Sequence, residues 1–304
     1  MQSAPHDFTL RQLQYAVAVA DELSFRRAAE RCRVAQPSLS AQIAQLESAL
    51  GTQLFERAQK RVLVTAAGRA LIEHARALLL AADDLALRAK RAGDPLSGTL
   101  RIGVIPTISP YLLPTIAPKL RARFPRLTTI WREDKTAVLS SALEAGQIDA
   151  ALLALDGSMD HLASEVVAID PFVLAVPRGH PLGKSAAAVS SPELRRDDVL
   201  LLDDGHCFRD QALEVCSRAR AKESDLRATS LSTLVQMVAG GAGITLLPTL
   251  SVRTEAKAAG LTTRPLASTS AQRTIALVWR KRSPLEGALR EIASAVRADY
   301  PITH

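Results

Sequence analysis

The strongest fold signal in the chain lies near its N-terminus, in the stretch SFRRAAERCRVAQPSLSAQIAQLESALG of residues 24–51. Ser24 offers a hydroxyl cap for a helix from residue 25 to about residue 32. Pro37 opens the next helix, because proline in a first turn loses no helical hydrogen bond, and Gly51 ends it. Two short helices joined by a tight turn predict a helix-turn-helix unit.

The segments on either side complete a small domain. Upstream, a helix over residues 10–23 is predicted from apolar residues that recur on one face: Leu10, Leu13, Val17 and Ala20. Downstream, residues 54–65 predict a hairpin wing whose second strand contains Val62-Leu63-Val64. We therefore expect a winged helix-turn-helix domain over residues 1–65.

Polar and basic side chains give this domain the character of a DNA-binding unit. Candidates for reading base edges lie at the start of the third helix: Gln36, Pro37, Ser38, Ser40 and Gln42. Candidates for contacting phosphates are Arg26, Arg27, Arg31, Arg33, Lys60 and Arg61. The net charge of +7 suits a polyanionic partner, although many basic proteins bind none. An ordinary helical bundle with a solvated basic face is the alternative.

Residues 66–92 predict a long linker helix. Its apolar residues recur in steps of four and three, which is the seam of a coiled coil: Leu71, Ala75, Leu78, Ala82, Leu85 and Ala89. A lone helix buries such a stripe poorly, so we expect a partner chain; packing against the chain's own C-terminal part is the alternative. Gly93, Pro95 and Gly98 mark a hinge into the next domain.

The remainder of the chain alternates short apolar strands with helices, which predicts an α/β fold with largely parallel sheets. Strands are predicted at residues 100–105, 128–131, 150–154, 172–176, 199–202, 244–247 and 274–279, and helices at 110–123 and 137–145. Ligands of such folds gather at strand carboxyl ends and helix N-termini.

Composition narrows the class of protein. The chain is 47% hydrophobic and 23% charged, as soluble globular proteins are. No run approaches the roughly 18 apolar residues of a membrane span, and the start has no apolar signal core, so we expect a cytoplasmic protein. Because there is no Cys-x-x-Cys motif and no ligand spacing among the histidines, we expect neither a metal nor another cofactor.

Two of the three cysteines, Cys207 and Cys216, form a candidate redox pair, whereas Cys32 is interpreted as a packing residue. Cys207 is predicted at a helix N-terminus beside His206 and Arg209, where the helix dipole and nearby cations favour the reactive thiolate. If the nine-residue interval is helical, the two α-carbons lie about 13 Å apart.

A disulfide tolerates only about 4.4–6.8 Å between α-carbons, so oxidation would require the segment to refold. Such coupling is what a redox switch needs. The alternative is that both thiols are small buried hydrophobic groups, which is the commonest fate of a cytosolic cysteine.

Residues 10–68 resemble the LysR-type regulators almost without a gap. The resemblance rests on SFRRAAE (24–30), AQPSLS (35–40), Ile43, Leu46-Glu47, Leu50-Gly51, LFER (54–57) and TAAG (65–68). It implies a winged helix-turn-helix whose third helix enters the major groove.

The C-terminal part is similar to the sensor domain of the same family, through RIGV (101–104), GQIDAAL (146–152) and GAGITLLP (241–248). The resemblance implies a regulatory domain over residues 98–304 of the periplasmic-binding type. It would have subdomain I at 98–170 and 271–304 and subdomain II at 171–270.

The cysteine region resembles the peroxide-sensing branch of this family. The matching segments are GHCFRDQA (205–212), Cys216, RATSL (227–231), IPT (105–107) and PYLLP (110–114); Asp203 and Phe208 are mild departures. The resemblance implies that Cys207 is oxidised by hydrogen peroxide and that Cys216 resolves the product to a disulfide. It also assigns peroxide binding or activation to Thr107, Thr136, His206, Arg209, Asp210 and Arg273.

The resemblance further implies a homotetramer on double-stranded promoter DNA that activates peroxide-defence genes when oxidised, with RNA polymerase as a partner. Glutathione or glutaredoxin would reset it. Two other functions stay open. One is a LysR-type regulator that responds to a small metabolite and whose cysteines are incidental. The other is a two-cysteine peroxidase, an enzyme, which would not account for residues 10–68; we expect no enzyme.

Overall fold

The computed structural model describes residues 7–58, 61–90, 94–195 and 197–301. The chain forms two compact units, residues 1–90 and residues 91–304. The first unit is mainly helical and the second is an α/β unit.

The first unit contains the predicted helix-turn-helix, wing and linker helix. Its elements are α1 (Leu10–Glu22), α2 (Phe25–Cys32), α3 (Gln36–Leu50), β1 (Phe55–Ala58), β2 (Arg61–Val64) and α4 (Ala66–Lys90). The two strands pair antiparallel, as a hairpin wing requires.

Local chemistry sets the helix boundaries of this unit. The Ser24 hydroxyl accepts the Arg27 backbone N–H at the start of α2, as predicted. Helix α3 begins one residue before Pro37 and ends at Gly51, whose φ of 62° is left-handed. A reciprocal capping box between Thr9 and Gln12 opens α1, a signal that the sequence analysis did not use.

The core of the first unit is built by α1, α2 and α3 around Leu39, Ile43 and Leu46, all of which are buried. The face predicted for α1 was partly wrong: Leu13 is buried, but Leu10 is 50% exposed. The buried face of α1 is instead rotated toward Ala16 and Val19.

Helix α4 divides into two parts along its apolar stripe. Ile72 and Ala75 are buried with the core of the first unit. Further along, Leu78 is 50% exposed and Leu85 is 69% exposed. The first part of the helix therefore packs within the chain, and the second part leaves Leu78 and Leu85 exposed.

The second unit alternates strands and helices. Its first half contains β3 (Gly98–Val104), α5 (Ser109–Arg123), β4 (Leu127–Glu133), α6 (Thr136–Glu144), β5 (Ala150–Ala154) and β6 (Leu162–Val176). Its second half contains α7 (Ser191–Leu194), β7 (Asp198–Leu202), α8 (Cys207–Ala219), β8 (Lys222–Ala228), α9 (Leu231–Ala239), β9 (Ile244–Pro248), α10 (Thr249–Val252), β10 (Thr262–Pro265), β11 (Gln272–Arg280) and α11 (Glu286–Asp299).

The strand order is β4-β3-β5-β11-β6-β9-β7-β8, with β10 also on β6. Pairing is parallel around β3 and around β7, as predicted, but β6 and β11 run antiparallel to their neighbours. Strand β6 pairs with β11 up to Pro171 and with β9 from Phe172. This strand thus connects two groups of parallel strands. The subdomain bounds given above stay a prediction.

The seven predicted strands and two predicted helices are all present in the second unit, with ends shifted by a few residues. The sequence analysis missed the first part of β6, together with β8 and β10. Strand β8 (KESDLRA) lies at the sheet edge with a mostly exposed or half-buried surface, so it lacks an apolar pattern. Within the described ranges, no helix is long and apolar enough to span a membrane.

Candidate redox site and DNA-binding surface

The turn between β7 and α8 presents Cys207. Strand β7 is buried from Val199 to Leu202. Gly205 follows with a φ of 87°, a backbone conformation that residues with a side chain rarely adopt. His206 is the N-cap of α8, and Cys207 is its first residue, as the sequence predicted.

Both candidate redox thiols are free and buried: Cys207 is 8% exposed and Cys216 is 3% exposed. The interval between them is helical throughout. With a helical rise of ~1.5 Å per residue, their α-carbons lie about 13 Å apart, which is too far for a disulfide. The helix must therefore unwind before the sulfurs can bond.

The acidity of Cys207 differs from the sequence expectation. Burial raises the pKa of this thiol above its ordinary value, while the Thr136 hydroxyl and the charge of Arg273 oppose that shift. The resting thiol is therefore protonated at neutral pH. The expectation of an activated thiolate was wrong for this state, because loss of solvent outweighs the favourable neighbours.

Cys216 is buried and lies within reach of an acidic side chain. Burial and the negative charge of Glu223 raise the pKa of its thiol to about 11. A thiol of this kind is a poor nucleophile where it stands.

Two predicted polar residues, Thr107 and Arg273, are brought together in the interior. The Nη1 of Arg273 donates to the Thr107 hydroxyl oxygen at 2.8 Å, and Nη2 donates to the Thr107 carbonyl at 3.0 Å. The guanidinium also pairs with Asp170 at 2.9 Å and lies 5.8 Å from the centre of the Phe208 ring. The charge of this guanidinium also acts on the neighbouring Cys207 thiol.

Thr136 and His206 each present a buried polar atom without a hydrogen-bond partner in the described part of the chain: Thr136 Oγ1 and His206 Nε2. Burial and the nearby Lys135 lower the pKa of His206, so its imidazole is neutral at neutral pH. Unpaired buried polar groups are rare in folded proteins, and they are available to a polar ligand.

Arg209 and Asp210 are not directed at the thiol. Arg209 donates to the Leu202 carbonyl and pairs with Asp204 at 2.9 Å and Glu223 at 2.7 Å. Asp210 is exposed on the first turn of α8. The cationic neighbour expected from Arg209 is thus replaced by Arg273, which comes from a distant strand.

The candidate DNA-reading surface at the start of α3 is only partly exposed. Gln36, Pro37 and Ser38 are exposed, whereas Ser40 and Gln42 are half-buried. Gln45, which the sequence analysis missed, is exposed and accepts a hydrogen bond from Gln42 at 3.1 Å.

Four of the predicted basic residues, Arg26, Arg27, Arg31 and Arg33, are exposed. Arg26 pairs with Glu30, and Arg27 pairs with Glu22, but both arginines are mostly exposed. Arg31 pairs with Asp21 and Arg33 is exposed. Arg61 opens β2, and Lys60 lies outside the described residues.

Asp170 and Glu223 also belong to the redox site, although neither was predicted from the sequence. Asp170 lies opposite Arg273 on the paired strands β6 and β11. Glu223 lies on the polar edge strand β8. Neither stands in a recognisable motif, so only the tertiary structure could find them. Among the described residues, no cluster of His, Cys, Asp or Glu could hold a metal ion.

Two family matches account for nearly the whole chain. Residues 10–69 match "Bacterial regulatory helix-turn-helix protein, lysR family", and residues 93–301 match "LysR substrate binding domain". The matches agree with the two units of the structure.

Comparison with individual relatives identifies a group within this family. The "DNA-binding transcriptional dual regulator OxyR" of Escherichia coli is 42% identical over 290 residues, which is 95% of each chain. A full-length OxyR variant from Pseudomonas aeruginosa superposes with a TM-score of 0.74 at 34% identity, covering 95% of this chain and 98% of that one.

The crystal structure of an oxidized form of OxyR covers 68% of this chain and 97% of its own, with a TM-score of 0.62 and 41% identity. Identity at this level over almost the full length establishes common descent. The chain therefore belongs to the LysR family of bacterial regulatory proteins, and within that family to the OxyR group.

Proposed function

We propose that the protein is a DNA-binding transcriptional regulator that senses hydrogen peroxide through Cys207. The observation that carries the proposal is the setting of this thiol. It begins a helix, and both the Thr136 hydroxyl and the charge of Arg273 act on it, while its partner Cys216 lies nine residues away on the same helix.

The first step is oxidation of Cys207. Its sulfur attacks one oxygen of hydrogen peroxide, the O–O bond breaks, and the thiol becomes a sulfenic acid as one water leaves. The thiol proton goes to the departing oxygen, which would otherwise leave as hydroxide. Donors at that oxygen lower the barrier, and the Thr107 and Thr136 hydroxyls and Arg273 supply them.

The roles of the neighbouring residues differ in kind. His206, neutral and with a free Nε2, is a hydrogen-bonding group at the start of α8. Arg209 acts at a distance, because its ion pairs hold the helix that carries both cysteines. Asp210 lies in the first turn of that helix and contributes to the same local structure.

The second step closes a disulfide. The thiol of Cys216 attacks the sulfenic sulfur, the S–S bond forms, and the hydroxyl leaves as a second water. Because the helical interval is too long, α8 must unwind and residues 205–217 must refold. The refolded segment changes the surface of the regulatory unit, which is the signal.

The signal reaches DNA through oligomer geometry. Leu78 and Leu85 leave an uncovered stripe on α4, which suits pairing with the same helix of another copy. We propose a homotetramer, acting in the cytoplasm, whose winged heads bind promoter DNA and whose oxidised form activates peroxide-defence genes through RNA polymerase. A thiol reductant such as glutathione or glutaredoxin restores the reduced form. The protein acts as a sensor and not as an enzyme.

Titration of the reduced, full-length protein with hydrogen peroxide tests this function. We expect two thiols per chain to disappear at near-stoichiometric peroxide, a Cys207–Cys216 disulfide in the peptide map, and a changed footprint on selected genomic DNA fragments. Loss of neither thiol would overturn the proposal. Many turnovers of peroxide with a thiol reductant would instead indicate a peroxidase.

A further inference from the structure

Asp170 is the carboxylate that meets Arg273 in the interior. The side chains of Arg273 and Asp170 are 0% and 1% exposed. The Nε of Arg273 donates to Asp170 Oδ2 at 3.0 Å, and Nη2 reaches the same oxygen at 2.9 Å. The other oxygen, Oδ1, accepts the Leu250 backbone N–H at 3.0 Å, so both carboxylate oxygens are used.

The contacts of Arg273 fix the plane of its guanidinium. A guanidinium has five N–H donors. One makes a hydrogen bond to Asp170 and two make hydrogen bonds to the hydroxyl and carbonyl oxygens of Thr107, while Nη2 also lies within ion-pair distance of Asp170. One N–H on Nη1 is left without an acceptor among the described residues. That donor lies on the same nitrogen that contacts the Thr107 hydroxyl.

The same contacts make the Thr107 hydroxyl a stronger hydrogen-bond donor. Its oxygen accepts an N–H from Arg273, so its hydroxyl proton is free to be donated to a ligand. A donor whose oxygen already accepts a charge-assisted hydrogen bond is polarised and donates more strongly. The carboxylate, the guanidinium and the hydroxyl thus form a chain, and the charge of the guanidinium acts on the Cys207 thiol.

We propose that Asp170 is a positioning residue for the oxidation of Cys207: it fixes the Arg273 guanidinium so that Arg273 and Thr107 direct donors at the departing peroxide oxygen. The inference rests on the proposed function and deepens it. Asp170 does not touch peroxide itself. Without its charge, Arg273 can rotate toward the carbonyl groups around it, and the donor geometry at the reacting oxygen is lost.

The electrostatics of the site predict opposite effects on two reactions of the same sulfur. Removing the negative charge of Asp170 makes the surroundings of Cys207 more positive, which favours the thiolate. A reagent that needs only a thiolate, such as iodoacetamide, then reacts as fast or faster. Peroxide needs placed donors as well as a thiolate, so its reaction slows.

The test compares wild type, Asp170→Asn and Tyr300→Phe in the full-length reduced protein. Tyr300 is the matched control: its buried hydroxyl has no hydrogen-bond partner among the described residues, yet the phenol is influenced by the charges of both Asp170 and Arg273. The rate constants for peroxide and for iodoacetamide at Cys207 are measured by stopped flow and by mass spectrometry. Alkylation of Cys216 reports any loosening of α8.

We expect Asp170→Asn to lower the peroxide rate constant by about 100-fold, the scale of a misplaced catalytic group. Alkylation of Cys207 is not slowed, alkylation of Cys216 is unchanged, and Tyr300→Phe matches wild type in both reactions. If Asp170→Asn does not fold, Arg273→Gln is compared with Arg273→Gln/Asp170→Asn; equal peroxide rates support action through Arg273, and a further loss overturns it.

Two negative outcomes are distinguishable. A wild-type Cys207 that does not react with peroxide overturns the proposed function and this inference together. A reactive wild type with Asp170→Asn at the same peroxide rate overturns the inference alone. Equal slowing of peroxide and iodoacetamide in Asp170→Asn also overturns it, because that pattern indicates a purely structural role.

Discussion

Arg209 in α8 and Arg273 on β11 have the same chemistry and different surroundings. Arg273 pairs with Asp170 and both side chains are inaccessible to solvent. Arg209 is also buried, but one of its carboxylate partners, Asp204, is 75% exposed and the other, Glu223, is 29% exposed. One network is enclosed and the other opens to water.

The difference separates a fixed part of the site from a part that can move. Breaking an enclosed ion pair leaves an unpaired buried charge, which costs about 3–5 kcal/mol. The carboxylates that pair with Arg209 are at least partly exposed, so water can replace Arg209 as their partner at a lower cost. The Arg273 network therefore stays formed while peroxide reacts, whereas the Arg209 network can release α8 when the cysteines must approach.

The largest effect comes from removing the sulfur that lies beside the enclosed network. Cys207→Ser abolishes oxidation and the DNA response to peroxide, because a hydroxyl is not oxidised by peroxide. The readout is thiol counting together with footprinting before and after oxidant. Cys32→Ser serves as the control and keeps the full response, since Cys32 lies in the DNA-binding unit. A Cys207→Ser protein that still responds would place the sensor at another thiol.

The next effect comes from breaking the enclosed network itself. Thr107→Val removes the hydroxyl that accepts a hydrogen bond from Arg273. We expect it to slow Cys207 oxidation by about 100-fold, the scale seen when an enzyme loses one positioned hydrogen-bond donor. Stopped-flow oxidation kinetics measure it. Thr245→Val, which removes another buried hydroxyl on β9, is the matched control and keeps the wild-type rate. Equal rates for Thr107→Val and wild type would contradict a donor role.

Weakening the ion pairs of Arg209 sharpens the comparison. This change affects the equilibrium between the reduced and disulfide forms more than the rate of Cys207 oxidation. Glu223→Gln loosens the tie between Arg209 and β8, so the reduced helical form loses stability. We expect the reduction potential of the Cys207–Cys216 couple to fall by roughly 20–30 mV, where ~30 mV corresponds to 1.4 kcal/mol. Redox titration against glutathione buffers measures it.

The control for Glu223→Gln lies on α8, the helix that carries Arg209. Glu214→Gln removes an exposed pair with Arg218 at i, i+4, which stabilises little. Its potential should equal that of wild type. Glu223→Gln should also lower the pKa of the Cys216 thiol below about 11, because the negative charge of Glu223 contributes to raising it. An unchanged potential in Glu223→Gln would show that the open network does not restrain α8.

The last prediction concerns pH, which acts on the thiol without any change in the chain. Because burial raises the pKa of Cys207, its alkylation rate should rise tenfold per pH unit between pH 6 and 8, without a plateau. The pKa of His206 is lowered by burial and by Lys135, so its imidazole titrates below its ordinary range. Alkylation kinetics of the Cys216→Ser variant measure the profile. A plateau near pH 7 would mean that Cys207 is a thiolate at rest.

Much of the fold could be read in local patterns. The cap at Ser24, Pro37 in the first turn of α3 and Gly51 at its end bounded the helix-turn-helix, because each acts on the backbone next to it. The edge strand β8 could not be predicted, because its polar residues carry no signal of burial. The face of α1 was misplaced at Leu10 for a related reason: the packing of α2, α3 and α4 decides which side is covered.

The sequence by itself determined the two-unit organisation, the place of Cys207 at a helix start and the helical interval that keeps Cys216 away, since each follows from neighbouring residues. Only the tertiary structure decided the state of the thiol and the identity of its cation. Arg273 and Thr107 are separated by 166 positions. Burial is a property of the whole packed unit, so it could reverse the acidity that a helix N-terminus and adjacent charges predict.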